Sequence, residues 1–242
     1  MRKILTAILF CFFLLPITTN AESLNYTSQQ YHYTFTIPSG WTVIPKSTID
    51  EVMQQTSDIS GGQFINYTTG FQLENAEIFQ YPYILVREHT KNTIDYKKIV
   101  NMFNTEKFSK STQKNEENID MIINSSIQNP LVDKQRDIIF INGKVNIADV
   151  GEVNGLMVYF LGKDSITQLN FSFIDQKNLS IFNQIIDSFQ YEQGYDYDKK
   201  EAKNTESKNF WGNYISELLA FSIIGILIFI ASKVLRAFKN KK

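Results

Sequence analysis

The sequence predicts a domain that combines β-strands with a few amphipathic helices, placed between two hydrophobic ends. Apolar residues alternate with polar ones along several segments, which is the period of a half-buried strand. In other segments they recur every three or four positions, as on one face of a helix, and a short turn sequence joins two of the strands. The predicted domain comprises residues 22–190, which is long enough to form one hydrophobic core.

Residues 1–21 are typical of a secretory signal peptide. Two basic residues precede an apolar run over residues 4–15, and Ala21 ends the small-residue motif at which the signal would be cut. The run is too short to span a bilayer comfortably. Cys11 lies inside it and is the only cysteine of the chain, so the exported protein is expected to have no disulfide and no cysteine-bound metal.

Residues 210–232 predict one transmembrane helix. The span that Trp211 begins and Ser232 ends would be roughly 33 Å long as a helix, close to the ~30 Å of a hydrocarbon core. Aromatic residues flank its start, and the five basic residues of the tail, 233–242, follow its end. The positive-inside rule then predicts a single-pass protein of the cell membrane, with the C-terminus in the cytoplasm and the domain outside or in the periplasm. Glu217 lies near the outer interface, where it can reach the headgroups.

Residues 191–209 predict a charged linker between the domain and this helix. Within it, Asp196 and Asp198 alternate with tyrosines, which suits a plain solvated linker or, alternatively, a docking or Ca²⁺-attracting stretch.

The exported part of the chain is acidic. Of the 24 basic residues, two lie in the signal and five in the tail, which leaves 17 basic against 25 acidic residues and a net charge of −8 for the exported part. A domain so acidic is a poor candidate for binding nucleic acid or anionic lipid surfaces.

The predicted elements follow in order along the domain. Residues 31–37 alternate apolar and polar side chains and predict a strand, and a turn leads from it into a return strand that starts at Trp41. The pair Asn142 and Gly143 is a turn candidate, and residues 119–127 suit either a strand or a helix. Further strands are predicted over 64–73, 81–88, 136–148, 153–162 and 166–174, and helices over 48–55, 95–110 and 178–188.

Two short motifs carry a resemblance to a known family. The first strand ends in Pro-Ser-Gly-Trp at residues 38–41, which resembles the opening of PsbP-like and Mog1-like domains. The last helix ends in Ser188 and Phe189, similar to the Ser-Phe pair that closes many bacterial members. The resemblance covers about residues 28–191 and implies an α+β sandwich, a central antiparallel sheet covered by helices. It also implies an accessory or scaffold protein that binds other macromolecules, although a membrane anchor is not a standard part of the family.

Two histidines are the candidates for a metal ligand or a general base. His32 lies on the polar side of the first strand, and His89 follows Glu88 at the end of another. Neither takes part in a metal-binding spacing, and no phosphate loop or nucleophile elbow occurs, so we predict no catalytic residue, no metal site and no cofactor. A cleft that brought His89 and Glu88 together with Asp149 or Asp164 would favour an enzyme instead.

A tyrosine-rich edge is the candidate binding site. Tyr67, Tyr81 and Tyr83 flank predicted loops, and tyrosine beside asparagine is common at protein-binding surfaces. The sequence therefore predicts a membrane-anchored accessory protein, not an enzyme, that engages a protein partner in the cell envelope. The alternative is a tethered domain that binds a small ligand or a lipid in a pocket between the sheet and its helices.

Overall fold

The described part of the chain forms two antiparallel sheets and two α-helices, which confirms an α+β fold with a central antiparallel sheet. The predicted signal peptide, the helix over 95–110, the transmembrane segment over 210–232 and the basic tail lie outside it. Within it, no helix is long and apolar enough to cross a membrane. The structure, a computed structural model, describes residues 23–60, 64–90, 122–128, 130–148 and 150–198.

The large sheet contains eight of the described strands and the small sheet contains three. In chain order the elements are β1 (Leu24–Ser28), β2 (Tyr33–Ile37), β3 (Trp41–Val43), α1 (Lys46–Ser60), β4 (Thr69–Leu73), β5 (Tyr83–Thr90), β6 (Ile122–Ile127), β7 (Leu131–Asp133), β8 (Ile138–Ile147), β9 (Gly151–Leu161), β10 (Ser165–Phe173), α2 (Leu179–Ser188) and β11 (Gln190–Tyr191). The large sheet has the order β3-β4-β5-β10-β9-β8-β6, with β7 also paired to β8, and the small sheet has the order β1-β2-β11.

The large sheet has a hydrophobic core on each of its faces. Successive residues of a strand point to opposite faces, so Tyr83 and Leu85 of β5 face one side, while Ile84 and Val86 face the other. Helix α1 packs on the first side, called here the α1 face. The small sheet and α2 pack on the second side, the α2 face. Because both faces are buried, β5 carries a continuous apolar run instead of an alternating one.

The Pro-Ser-Gly-Trp motif carries the chain from the small sheet to the large one. β2 pairs with β1 and β11, whereas β3 pairs with β4, so the strand that starts at Trp41 does not return along β2. Gly40 has a φ of +81°, a left-handed conformation that glycine adopts without steric cost. This turn delivers the Trp41 ring to the α2 face, where it packs edge-on against Phe182 with the ring centroids 6.5 Å apart.

Most predicted elements are present with shifted ends. Residues 122–127 form a strand, β6, and α1 extends beyond the predicted helix over 48–55 at both ends. The pair Asn142 and Gly143 does not form a turn, because β8 runs through it and pairs with β9 along all ten of its residues. β8 also pairs with β6 at Gly143, so a turn there would break two hydrogen-bonded ladders at once.

The chain stays attached to the domain beyond the predicted start of the linker at residue 191. β11 completes the small sheet, and residues 190–197, called here the C-terminal strap, then cross the β9–β10 turn. The Lys163 N–H donates to the Tyr195 carbonyl oxygen over 2.8 Å, and Tyr197 is buried on the α1 face. The tyrosines alternate with exposed aspartates because they face the domain, so this stretch is not a plain solvated linker.

Candidate functional site

The loop of residues 74–82 between β4 and β5 is held in shape by one buried side chain. Gln72, which is buried at the end of β4, accepts a hydrogen bond from the Phe79 N–H over 3.0 Å. Its amide group also donates to the Ala76 carbonyl oxygen over 3.1 Å. A buried amide whose donor and acceptor are both satisfied in this way fixes the separation of the two loop segments that it joins.

Two residues of this loop have a left-handed backbone. Asn75 has a φ of 61°, which asparagine tolerates, and Phe79 has a φ of 58°, which is costly for an aromatic residue. Such a conformation persists only where the surrounding contacts enforce it. The Phe79 ring is buried and packs edge-on against Tyr83 with the ring centroids 5.3 Å apart. The neighbouring Ile78 is 43% exposed, so this ordered loop presents an apolar side chain to solvent.

The three tyrosines of the predicted binding site differ in position and in access: Tyr81 lies on this loop, Tyr83 begins β5 after it, and Tyr67 precedes β4. Tyr67 and Tyr83 are fully buried in the core of the α1 face. Tyr81 is half-buried, and its ring stacks on that of Tyr83 with centroids 5.4 Å apart and an interplanar angle of 22°. Burial raises the pKa of Tyr83 to about 12 and raises the pKa values of Tyr67 and Tyr81, so all three hydroxyls are neutral at physiological pH. Tyr81 is thus the member of the set with surface to offer a partner.

Sequence reasoning missed Ile78, although one signal was present. Ile78 and Phe79 are adjacent apolar residues in a stretch that is otherwise polar and lacks strand alternation. In such a stretch one of two neighbours can turn into the core while the other faces solvent. The burial of Tyr83 also had a signal in the sequence, because Tyr83 is two positions from Leu85 and therefore lies on the same face of the strand.

The two histidines have different surroundings. His32 precedes β2, and its Nδ1 lies 2.9 Å from a carboxylate oxygen of Glu192. His89 is buried on the α1 face, where its Nε2 lies 3.2 Å from the Gln168 side-chain oxygen. Burial, together with the positive charge of Arg87, lowers the pKa of His89 to about 3, so this ring is neutral.

The cluster that would favour an enzyme is not assembled from the residues that the structure describes. His89 and Glu88 are neighbours in β5 and therefore point to opposite faces of the large sheet. Asp164 is exposed in the β9–β10 turn, and Asp149 lies outside the described residues. Within the described ranges, no group of three or more histidine, aspartate or glutamate side chains is placed to hold a metal ion.

Glu88 links the small sheet to the large one. The Tyr33 hydroxyl of β2 and the Thr68 hydroxyl, which lies just before β4, both donate to its carboxylate. Burial raises the pKa of Glu88, and the two hydrogen bonds offset this effect only in part. Glu88 is therefore a largely buried acid whose ionised form is disfavoured in the native state.

Glu88→Gln is expected to flatten the pH dependence of stability. The pKa of Glu88 is higher in the native state than in the unfolded chain, where it is near 4.5. Ionisation of Glu88 therefore lowers the stability of the fold as the pH rises from about 4.5 through the native pKa, and below pH 4.5 this loss is absent. Glutamine retains an oxygen that accepts from Thr68, but it cannot ionise. The free energy of unfolding, measured by denaturant titration, should therefore fall less between pH 4 and pH 8 in Glu88→Gln than in the wild type. Glu74→Gln, at an exposed position, is the control, and a Glu88→Gln profile parallel to the wild type would contradict the prediction.

Comparison with known proteins shows similarity to several solved structures, including the following two. The first is the solution structure of the cyanobacterial PsbP protein CyanoP from Synechocystis sp. PCC 6803, with a TM-score of 0.43 and 13% identity, covering 74% of this chain and 97% of that one. The second is the crystal structure of the Ran-binding protein Mog1p from Saccharomyces cerevisiae, with a TM-score of 0.38 and 10% identity, covering 71% of this chain and 96% of that one.

The two solved structures bear the names of the two families that the Pro-Ser-Gly-Trp opening resembles. No protein-family model matches the sequence, and neither does any curated protein. Both TM-scores lie below 0.5, and a fold by itself does not determine a function.

Proposed function

We propose that this protein is a membrane-anchored accessory protein whose extracytoplasmic domain binds a protein partner in the cell envelope through the β4–β5 loop. The observation that carries the proposal is the exposed Ile78 on a loop that Gln72 and Phe79 hold in one shape. Tyr81 lies on the same loop and is half-buried. An apolar residue and a tyrosine on one loop are typical of the central part of a protein-binding surface.

The fixed shape of the loop favours binding, in addition to the side chains that the loop presents. A loop that is already ordered loses little conformational entropy when a partner binds, so more of the contact energy appears as affinity. Binding residues are common on loops that a rigid scaffold positions. Here β4 and β5 are neighbours within the eight-stranded sheet and supply that scaffold.

The location in the envelope rests on the sequence. The predicted signal peptide over 1–21 would export the domain, and the predicted helix over 210–232 would hold it at the membrane. The alternative function, a pocket for a small ligand or lipid between the sheet and α1, has less support. In the described part of the α1 face, large rings fill the core, with Tyr67, Tyr83 and Tyr159 all at most 2% exposed.

Ile78→Asp is expected to reduce partner capture by the full-length protein about tenfold, as for loss of a central interface residue. Capture is measured by crosslinking in intact cells followed by quantitative mass spectrometry. Phe64→Asp is the matched control, because Phe64 is 44% exposed, close to the 43% of Ile78, and lies before β4, at the end of that strand opposite to the loop. Equal capture by the two variants would contradict the loop as the site, and a wild-type protein that captures no envelope protein would contradict the function itself.

A further inference from the structure

Strand β1 is one of the two outer strands of the small sheet in the part of the chain that the structure describes. Two contacts show which way the backbone of the neighbouring β2 segment points. The Thr36 N–H donates to the Ser188 hydroxyl, and the Glu192 N–H donates to the His32 carbonyl oxygen. Even-numbered residues of this segment therefore direct their backbone groups toward α2 and β11, and odd-numbered residues direct theirs toward β1.

The pairing register then determines the orientation of β1. Tyr26 lies opposite Phe35, so it directs its N–H and C=O toward β2, and the Thr34 hydroxyl accordingly donates to the Tyr26 carbonyl oxygen over 2.9 Å. Asn25 and Thr27, one position to either side, direct their backbone groups away from β2. The outer edge of β1 thus presents two N–H and two C=O groups at the spacing that an added strand requires.

β1 also lacks the features that usually protect an edge strand from pairing. Its five residues include no charged side chain and no proline, and its register with β2 is continuous. The other edges of the described sheets are shorter or irregular: β3 and β7 have three residues each, β11 has two, and β6 has a register shift between Ile122 and Asn124. Among the described strands, β1 therefore offers the most regular open edge.

The side chains of β1 define the kind of strand that fits beside it. Tyr26 faces the domain, with its ring centroid 5.6 Å from that of Phe71, and Leu24, on the same side, is 38% exposed. Asn25 and Thr27 lie on the opposite, exposed side. An added strand would place apolar side chains next to Leu24 and Tyr26 and uncharged polar side chains next to Asn25 and Thr27.

We propose that β1 binds an extended segment of a partner protein, with alternating apolar and polar side chains, as an added strand of the small sheet. The inference rests on the proposed function because the occupant is a protein, but it concerns a surface other than the β4–β5 loop. A second copy of the chain fits less well, since a five-residue edge is only about 17 Å long. If two folded domains paired only along so short an edge, the area that they bury would fall short of the roughly 1,200 Å² that specific interfaces bury.

Thr27→Pro tests this pairing and leaves the ladder to β2 intact. Proline at position 27 removes an N–H that points away from β2, and proline is tolerated on an edge strand in that orientation. Thr27→Ala is the matched control, because it loses the same hydroxyl contact with Thr34 but keeps the N–H. The probe is a fluorescent peptide of three Val-Thr repeats between terminal lysines, and its binding to the full-length protein in detergent is followed by anisotropy.

The expected result is binding of the probe by the wild type and by Thr27→Ala with affinities within about twofold, and binding at least tenfold weaker by Thr27→Pro. A probe that is N-methylated at alternate amides should not bind, because it cannot pair along its backbone. No binding by the wild type, equal binding by Thr27→Pro and Thr27→Ala, or undiminished binding of the methylated probe would each overturn the inference. A wild-type dimer that Thr27→Pro dissociates would overturn it in favour of a second copy. If the peptide-binding tests fail while the full-length protein still captures its partner, the inference about β1 is wrong and the proposed function is retained.

Discussion

Phe182→Ala is expected to lower the free energy of unfolding by about 3–5 kcal/mol, the usual cost of truncating a buried phenylalanine to alanine. The Phe182 side chain is fully buried at the centre of the α2 face. Its ring centroid lies 4.4 Å from that of Phe171 and 5.2 Å from that of Phe173, and Trp41 packs against it from the side. The truncation would therefore leave a cavity between the large sheet, α2 and the motif that joins the two sheets.

Denaturant titration of the full-length protein, followed by circular dichroism, measures this loss. Gln184→Ala is the control, because Gln184 is exposed on the same helix and its truncation removes no buried contact. A change within about 0.5 kcal/mol is expected for this control. A loss below ~1 kcal/mol in Phe182→Ala would contradict the central place of this ring in the α2 face.

The sequence was sufficient to predict α2 and its buried side. Ile185, Ile186 and Phe182 recur at helical spacing, and the structure buries all three against the sheet. The same holds for the β9–β10 hairpin, where apolar residues on both strands flank a turn of polar residues. Local pattern is enough in these elements because helical or strand periodicity and burial point to the same structure.

Pairing between distant segments could not be predicted in the same way. Asn142 and Gly143 have the composition of a turn, yet they lie in the middle of β8 because β6 and β9 pair with it on either side. The strand that starts at Trp41 has the pattern of a return strand, and only the position of β4 shows that it belongs to the other sheet. In both places the deciding contact is far away in the sequence, where local propensity carries no information.

The exposure of the candidate site residues could not be predicted from the local sequence either. The sequence predicted that the tyrosines flank loops, but the exposure of each depends on which face of the sheet its strand position selects. Ile78 could be assigned to the surface only after Phe79 was placed in the core by its contact with Tyr83. The outward direction of the Thr27 N–H likewise depends on the register with β2 and has no signature in the sequence.

The C-terminal strap is held to the domain by Tyr191, and Gly162 is the residue that makes room for it. A Cβ atom at position 162 would lie 2.6 Å from Cζ and 2.7 Å from Cε1 of the Tyr191 ring, closer than real contacts allow. The Tyr191 hydroxyl lies 3.0 Å from the Phe160 carbonyl oxygen and 3.2 Å from the Thr167 hydroxyl oxygen. The ring therefore cannot move aside without giving up both hydrogen bonds.

Gly162→Ala is accordingly expected to lower the free energy of unfolding by about 1–3 kcal/mol, the usual cost of overpacking a filled site. It should also speed cleavage of the strap by a protease that cuts after tyrosine, because displacement of Tyr191 loosens residues 190–197 from the β9–β10 turn. Gly155→Ala, within β9, is the matched control, since the nearest atom to its added Cβ is the Gly143 carbonyl oxygen at 3.9 Å. Denaturant titration and limited proteolysis of the full-length variants separate the two substitutions. Equal stability and equal cleavage would contradict the role of Gly162 in seating the strap, and with it the view that the domain holds the chain as far as Tyr197.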